Sequence, residues 1–234
     1  SHHTAADVRR HLAWSGPLEV IHNGARSFVD APRRPLPGWE EAPSPKETVR
    51  PAAPGAAKET LLTWCGLTDT GMVRDHNEDY FACTAIGESV LFVVADGMGG
   101  HDAGEVASKL AVETVCKEIG NSVKRDHDPL KLIERALQKA NGEVVREGTS
   151  KGSNMGTTLN AALVIHDRAY VASVGDSRVY WIENGSIKQI TEDHSLVAKL
   201  VSVGKLTEEE ARNHPKSNRL YRTIGSEPTI KVDT

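Results

Sequence analysis

Proline divides this chain more sharply than any other feature. Eight of its eleven prolines (positions 17, 32, 35, 37, 43, 45, 51 and 54) fall in residues 1–60, leaving three for residues 61–234. Proline fixes φ and removes a backbone donor, so stretches such as Ala31-Pro-Arg-Arg-Pro-Leu-Pro-Gly38 favour extended, solvated backbone. Residues 1–60 are therefore expected to be a Pro/Ala-rich linker or tail, poorly structured, with a short helical piece over 5–14. A folded domain is expected over 61–234. The chain opens Ser1-His2-His3 and its first methionine is Met72, which suggests an excerpt of a longer protein.

Composition narrows the class. With 28 Lys+Arg against 32 Asp+Glu, the net charge of −4 gives no electrostatic footprint for nucleic acid. No apolar run is long enough to span a bilayer, and no apolar stretch follows the early arginines as a secretory leader would need. Three cysteines are too few and too scattered for a disulfide framework or a zinc knuckle. A reducing, cytoplasmic location and a monomeric domain of a longer protein are the expectations.

Periodicity supplies the fold class. Residues 61–68 and 79–84 read as short strands, and Val90–Ala95 is a continuous apolar run, as in a strand buried on both faces. Ala103, Val106, Ala107, Leu110, Ala111, Val115 and Ile119 recur at helical spacing, and so do Leu130, Ile133, Leu137, Ala140 and Val144. Strands are then expected over 157–165, 169–175, 177–182 and 186–191. His166-Asp-Arg168 and Asn184-Gly185 would make the hairpin turns. Two short helices follow, one opened by a capping box at Thr207 and Glu210. Strands, two long helices and a strand meander make an α+β fold, an antiparallel β-sandwich flanked by helices.

Chemistry should lie where buried strands end in acidic loops, and there are three. In Arg74-Asp-His-Asn-Glu-Asp79 the alternating acids imitate an EF-hand. Tyr80 and Ile86 occupy the places where that loop needs glycine and glutamate, so it is rejected. What stays open is a solvated turn, or a place where Glu78 and Asp79 share a small volume with the Arg74 cation. The second loop, Asp96-Gly-Met-Gly-Gly-His-Asp102, fails the dinucleotide fingerprint because Asp102 stands where glycine or alanine is required. Asp96-Gly97 could be an ordinary turn. An aspartate and a backbone carbonyl at a rigid strand end also suit a hard cation such as Mg²⁺ or Mn²⁺. In the third, Gly175-Asp-Ser-Arg178, Asp176 could pair with Arg178 as a structural ion pair, or be oriented by it toward a metal. Three such loops suggest metal-assisted phosphoester hydrolysis, with Arg74 gripping phosphate bidentately.

Gly71-Met-Val-Arg-Asp-His-Asn-Glu-Asp79, Val93-Val-Ala-Asp-Gly-Met-Gly-Gly-His101, Met155-Gly-Thr-Thr158, Val174-Gly-Asp-Ser-Arg178 and Thr191-Glu-Asp-His-Ser195 resemble, in order, the motifs of the metal-dependent type 2C protein phosphatases in their bacterial form. The resemblance covers residues 62–225. It implies a protein serine/threonine phosphatase that hydrolyses phosphoserine or phosphothreonine in protein substrates with two catalytic Mg²⁺ or Mn²⁺ ions. It further implies that Asp96 bridges the two metals and the Gly97 carbonyl binds one. Glu78 and Asp79 would hold metal-bound waters, Arg74 the substrate phosphate, and Asp176 a third, weaker metal. His101 would protonate or position the leaving alkoxide, His194 would be structural, and residues 195–222 would form the variable flap.

The family pattern also contains two downstream aspartates, in a Ser-Asp-Gly and an Asp-Asn motif, and neither motif occurs in the chain. The expectation is a domain lacking its C-terminal strands and helix, with weak turnover of p-nitrophenyl phosphate until extended. The alternative is a non-catalytic phospho-binding or regulatory pseudo-phosphatase module.

Overall fold

Strand β5 (Ser89–Met98) is the axis on which the layers are built, and its two faces explain its composition. Leu91, Val93 and Ala95 point into one apolar cluster, while Val90, Phe92 and Val94 point into another. A strand alternates its side chains. An unbroken apolar run therefore demands a cover on each side, at about 1.5–3 kcal/mol of burial for each large side chain.

The computed structural model describes His11–Trp14, Leu18–Ile21 and residues 64–234, apart from Val73, residues 100–102 and Asn184. Before β5 come β1 (His11–Trp14), β2 (Leu18–Ile21), β3 (Trp64–Cys65) and β4 (Asp79–Ile86). After it come α1 (Ala103–Ser122), α2 (Pro129–Lys151), β6 (Gly156–Thr157), β7 (Leu159–Ile165), β8 (Arg168–Val174), β9 (Arg178–Glu183) and β10 (Ser186–Gln189). Two short helices, α3 (Leu196–Ser202) and α4 (Glu208–Arg212), follow.

One sheet runs β4-β5-β7-β8 with β6 extending the pairing along β5, and the other runs β10-β9-β2-β1-β3. Neighbouring strands pair antiparallel throughout. Helices α1 and α2 cover one face of the first sheet. Ala107, Ala111, Val115 and Ile119 of α1 join Ile133, Ala136, Leu137 and Ala140 of α2 in one core with Leu91, Val93, Leu159 and Leu163 of the sheet. The second sheet covers the other face: Val179 and Trp181 of β9 and Trp64 of β3 pack toward Phe92, with the Trp64 and Phe92 rings edge-on at 6.3 Å. The expected α+β sandwich is present, with both long helices on the same face of one sheet.

Local signals place the element ends. Asp128 caps α2 by accepting the Lys131 N–H at 3.2 Å, Pro129 opens it, and Gly152 closes it in the left-handed region at φ 61°. The capping box of Thr207 and Glu210 is formed at α4. His166 turns β7 into β8 at φ 53°. Asn184 lies outside the described residues, and Gly185 after it takes φ 77°.

Three expectations need correction. Residues 11–14 are strand, not helix: β1 pairs with β2 and with β3, and β2 pairs with β9. Ladder bonds to distant partners outweigh a weak local helical preference there. The strand expected over 61–68 is strand only at β3 among its described residues, with 66–68 irregular. The strand expected over 157–165 is interrupted at Thr158, yet keeps one register on β5, from Gly97↔Thr157 to Val94↔Asn160.

Candidate active site

The sheet brings two of the acidic loops to the same place through its register. Asp79, the first residue of β4, stands directly opposite Asp96 on β5. Beyond that pair the Gly97 N–H donates to the Glu78 carbonyl at 3.0 Å. That carbonyl also accepts the Ser108 hydroxyl of α1 at 2.6 Å, which draws the N-terminal part of the helix onto the strand end. Closeness requires glycine on both sides. A Cβ on Gly97 would run into the Gly104 and Glu78 carbonyls, and one on Gly104 would lie 2.6 Å from Glu78 Oε1. The Asp-Gly pair is thus not the turn it could have been but strand backbone of β5, and a contact surface for α1.

Glu78 carries the electrostatic signature of the site. Burial pushes its carboxyl above the usual range, the Arg74 guanidinium pulls it down, and the negative Asp96 pushes it up again. Arg74 Nη1 lies 2.8 Å from Glu78 Oε2, with half of the arginine side chain in solvent. The loop before β4 is pinned by Asn77, which accepts the Asp79 N–H at 3.1 Å and donates to Thr68 at 2.8 Å.

Asp96 is fixed at its backbone by two threonines. Its N–H donates to Thr158 Oγ1 at 2.9 Å, and its carbonyl accepts the Thr158 N–H at 2.9 Å and the Thr157 hydroxyl at 2.8 Å. Thr158 also reaches the third loop, with its Oγ1 2.7 Å from Ser177 Oγ. Asn160 donates to the Ser177 carbonyl at 2.7 Å. Ser177, next to Asp176, is therefore tied to the Asp96 strand end through one buried threonine. Gly175 beside it adopts φ 109°, with the Thr158 methyl 2.6 Å from where a Cβ would sit.

Arg74, Glu78, Asp79, Asp96 and Gly97 thus come together, and the loop that carries Asp176 is linked to them through the Thr158–Ser177 contact. His101 lies outside the described residues. Among the described residues no group of three or more His, Cys, Asp or Glu is gathered around one metal position. The donor chemistry nonetheless suits a hard cation, because Glu78 and Asp96 are oxygen donors whose mutual repulsion a cation would relieve.

Arg178 does not take up the role considered for it. Its guanidinium bonds Asp193, with Nε at 3.0 and 3.1 Å and Nη2 at 2.6 Å, and Tyr180 Oη at 3.3 Å. The Asp193 bonds and charge raise its pKa against the cost of burial. Gln189 completes the seat by donating to Asp193 at 2.9 Å. Sequence adjacency to Asp176 points to the wrong carboxylate. Motif reading gives Thr158, Ser177, His194 and Asp233 no part in the site. Only a topology placing β6, β8 and the 194 and 233 segments side by side could expose them.

The description "Protein phosphatase 2C" belongs to the family model that matches residues 73–227. This chain belongs to the protein phosphatase 2C family. The serine/threonine phosphatase stp of Listeria monocytogenes is 39% identical over 173 residues, covering 71% of this chain and 68% of the relative. Protein phosphatase PhpP of Streptococcus pneumoniae is 34% identical over 171 residues, covering 71% and 69%. Among solved structures, Stp1 from Staphylococcus aureus superposes with a TM-score of 0.64 at 35% identity, covering 70% of this chain and 66% of that one. The catalytic domain of PstP in complex with two manganese ions superposes at 0.60 and 33%, covering 70% and 68%.

The match spans about two thirds of the length of these relatives. The phosphatase 2C chain is accordingly of the bacterial serine/threonine type, a class of metal-dependent hydrolases acting on phosphoproteins. No helix among its described residues is long and apolar enough to cross a membrane.

Proposed function

We propose that this phosphatase 2C chain dephosphorylates phosphoserine and phosphothreonine proteins at the shared end of β4 and β5. One observation carries the reading: Asp79 stands opposite Asp96, with Glu78 locked beside them by the Gly97 N–H. Burial raises the Glu78 pKa, Arg74 opposes the rise and the Asp96 charge adds to it, and divalent cations are the fitting counter-charge for carboxylates so confined. Asp96 and the Gly97 carbonyl would hold two Mn²⁺ or Mg²⁺ ions, with Glu78 and Asp79 as outer acceptors and Asp176 serving a third. The PstP structure in complex with two manganese ions supports manganese and that pair count. When bound, the ions lower the pKa of water and neutralise phosphoryl oxygens.

The protein's own groups do the rest. Arg74, half exposed on its Glu78 partner, can turn its fork to a substrate phosphate without leaving the carboxylate. Ser108 and Gly104 keep Glu78 in place while it does so. His101, just ahead of α1, would donate a proton to the leaving alkoxide. The catalytic unit is residues 61–234 together with β1 and β2, which belong to the second sheet although they lie in the proline-rich segment 1–60. Three free thiols, with burial pushing Cys83 up to about 12 and Cys116 up to about 11, suit a monomer in a reducing cytoplasm.

The test is Mn²⁺-dependent phosphate release from a phosphothreonine peptide. It is run on residues 1–234 and on the same chain extended by the C-terminal third of stp. Turnover by the extended protein that Asp96→Asn removes supports the reading. Turnover indifferent to Asp96→Asn contradicts it, and an inert extended protein favours a phospho-binding module.

A further inference from the structure

The loop that carries Asp176 is clamped by a buried histidine drawn from elsewhere in the chain. The Gly175 N–H donates to His194 Nδ1 at 2.9 Å, and the His194 N–H donates back to the Gly175 carbonyl at 2.9 Å. Both backbone groups of Gly175 are thereby committed to one residue, in a conformation at φ 109° that L side chains rarely adopt. The His194 side chain is 1% exposed.

Because Nδ1 accepts, the ring proton is on Nε2, and Nε2–H donates to Asp233 Oδ2 at 2.9 Å. Arg222 Nη1 donates to Asp233 Oδ1 at 2.9 Å. Its 2.8 Å approach to Nε2 joins two donors, so the Arg222 hydrogen bond belongs to the carboxylate. Asp233 is itself anchored to β8 by paired backbone bonds with Ser173 of 2.8 and 3.2 Å. Tyr221 closes the ring from the side, its N–H on the His194 carbonyl at 2.9 Å and its ring centroid 5.7 Å away. Asp193, next in the chain, is held by Arg178. An imidazole whose two nitrogens each have an assigned partner resembles the outer ring of a metal site, where such groups orient the ligand rather than bind the ion.

We propose that His194, braced by Asp233 and Arg222, is a positioning residue that sets the Gly175–Ser177 loop and thereby aims the Asp176 carboxylate. The proposal rests on the reading of Asp176 as a metal ligand. It makes the Thr-Glu-Asp-His-Ser segment part of the site's support, although no atom of His194 touches substrate.

The experiment compares the full chain with His194→Ala, His194→Asn, Asp176→Asn and Leu163→Ala. The last is a fully buried core residue on β7 and serves as a control for lost stability. Amide exchange at Gly175 and Asp176 reads the loop, and Mn²⁺ titration followed by electron paramagnetic resonance reads the ion. His194→Ala should speed exchange at Gly175 and weaken the low-affinity Mn²⁺ step roughly tenfold, the usual scale for loss of a ligand's supporting group. Asparagine keeps an acceptor at the Nδ1 position, so His194→Asn should recover most of the Gly175 protection. Leu163→Ala should move neither readout. If His194→Ala changes exchange and Mn²⁺ binding no more than Leu163→Ala does, the positioning role is wrong. If Asp176→Asn leaves the titration untouched, the ligand reading of Asp176 fails, and exchange at Gly175 still decides the clamp.

Discussion

The Asp96 and Asp176 loops both present an aspartate beside a glycine at a strand end, but they are held by different means. Asp96 is fixed by strand pairing on two sides, to β4 and to β6, and by the close backbone approach of α1 at Gly97. Asp176 sits in a turn whose order comes from side chains: Thr158 and Asn160 on Ser177, and His194 on Gly175. The first arrangement is written into register and sterics and tolerates no added atom. The second is assembled from residues far apart in the chain and can be loosened in steps. A site holding its ions with unequal strength could be built this way.

That contrast gives a ranked set of substitutions. Gly97→Ala should be the most damaging, because its Cβ meets backbone carbonyls that cannot step aside. A loss of about 3 kcal/mol or more in urea unfolding is expected. Gly175→Ala should cost less, about 2 kcal/mol. Its positive φ is strained for alanine and the new Cβ would lie 2.6 Å from Thr158 Cβ and Cγ2, a looser clash than the one with the Gly104 and Glu78 carbonyls at Gly97. Equal losses at the two glycines would erase the distinction. Thr158→Val removes the acceptor for the Asp96 N–H and the link to Ser177 in one change. It should cost about 1–3 kcal/mol and raise amide exchange in both loops together. Arg178→Lys loses the fork on Asp193 for about 1–2 kcal/mol, and should leave the Mn²⁺ titration unchanged.

The smallest effect is one of pH. Burial depresses the His194 pKa below 6.5, the Asp233 bond raises it and Arg222 lowers it again, with Asp233 and Asp193 adding upward pulls. The unfolded chain therefore takes up this proton more readily than the folded one. The contribution is complete above pH 6.5 and is lost as pH falls below 6.5 through the folded value. Melting curves between pH 7.5 and about 5 should show this slope in the wild type and a shallower one in His194→Asn. Protonation also costs the Gly175 bond, so exchange in the Asp176 loop should rise along the same curve while the Asp96 loop stays protected.

Legibility in the sequence follows the same divide. The β5 run, the glycines after Asp96, the α2 boundaries and the Thr207 capping box are local signals, each decided within a few residues by sterics or periodicity. Strand β1 has a local pattern that suggests helix, because its order comes from β2 and β3, and β2 in turn from β9, which no short window contains. Arg178 lies near Asp176 in sequence, whereas its partner Asp193 is 15 residues away. His194 has the look of a loop histidine. Its partners lie 19 and 39 residues distant, at Gly175 and Asp233. Side-chain networks that close across the fold leave no periodic trace.

The central claim is that the β4–β5 strand end is a carboxylate cage for divalent cations. Mn²⁺ titration of the wild type against Asp96→Asn tests it most directly. Loss of the tightest Mn²⁺ step in Asp96→Asn, by about 10- to 100-fold with the melting temperature preserved, is the predicted result. Identical Mn²⁺ binding by the two proteins would contradict it.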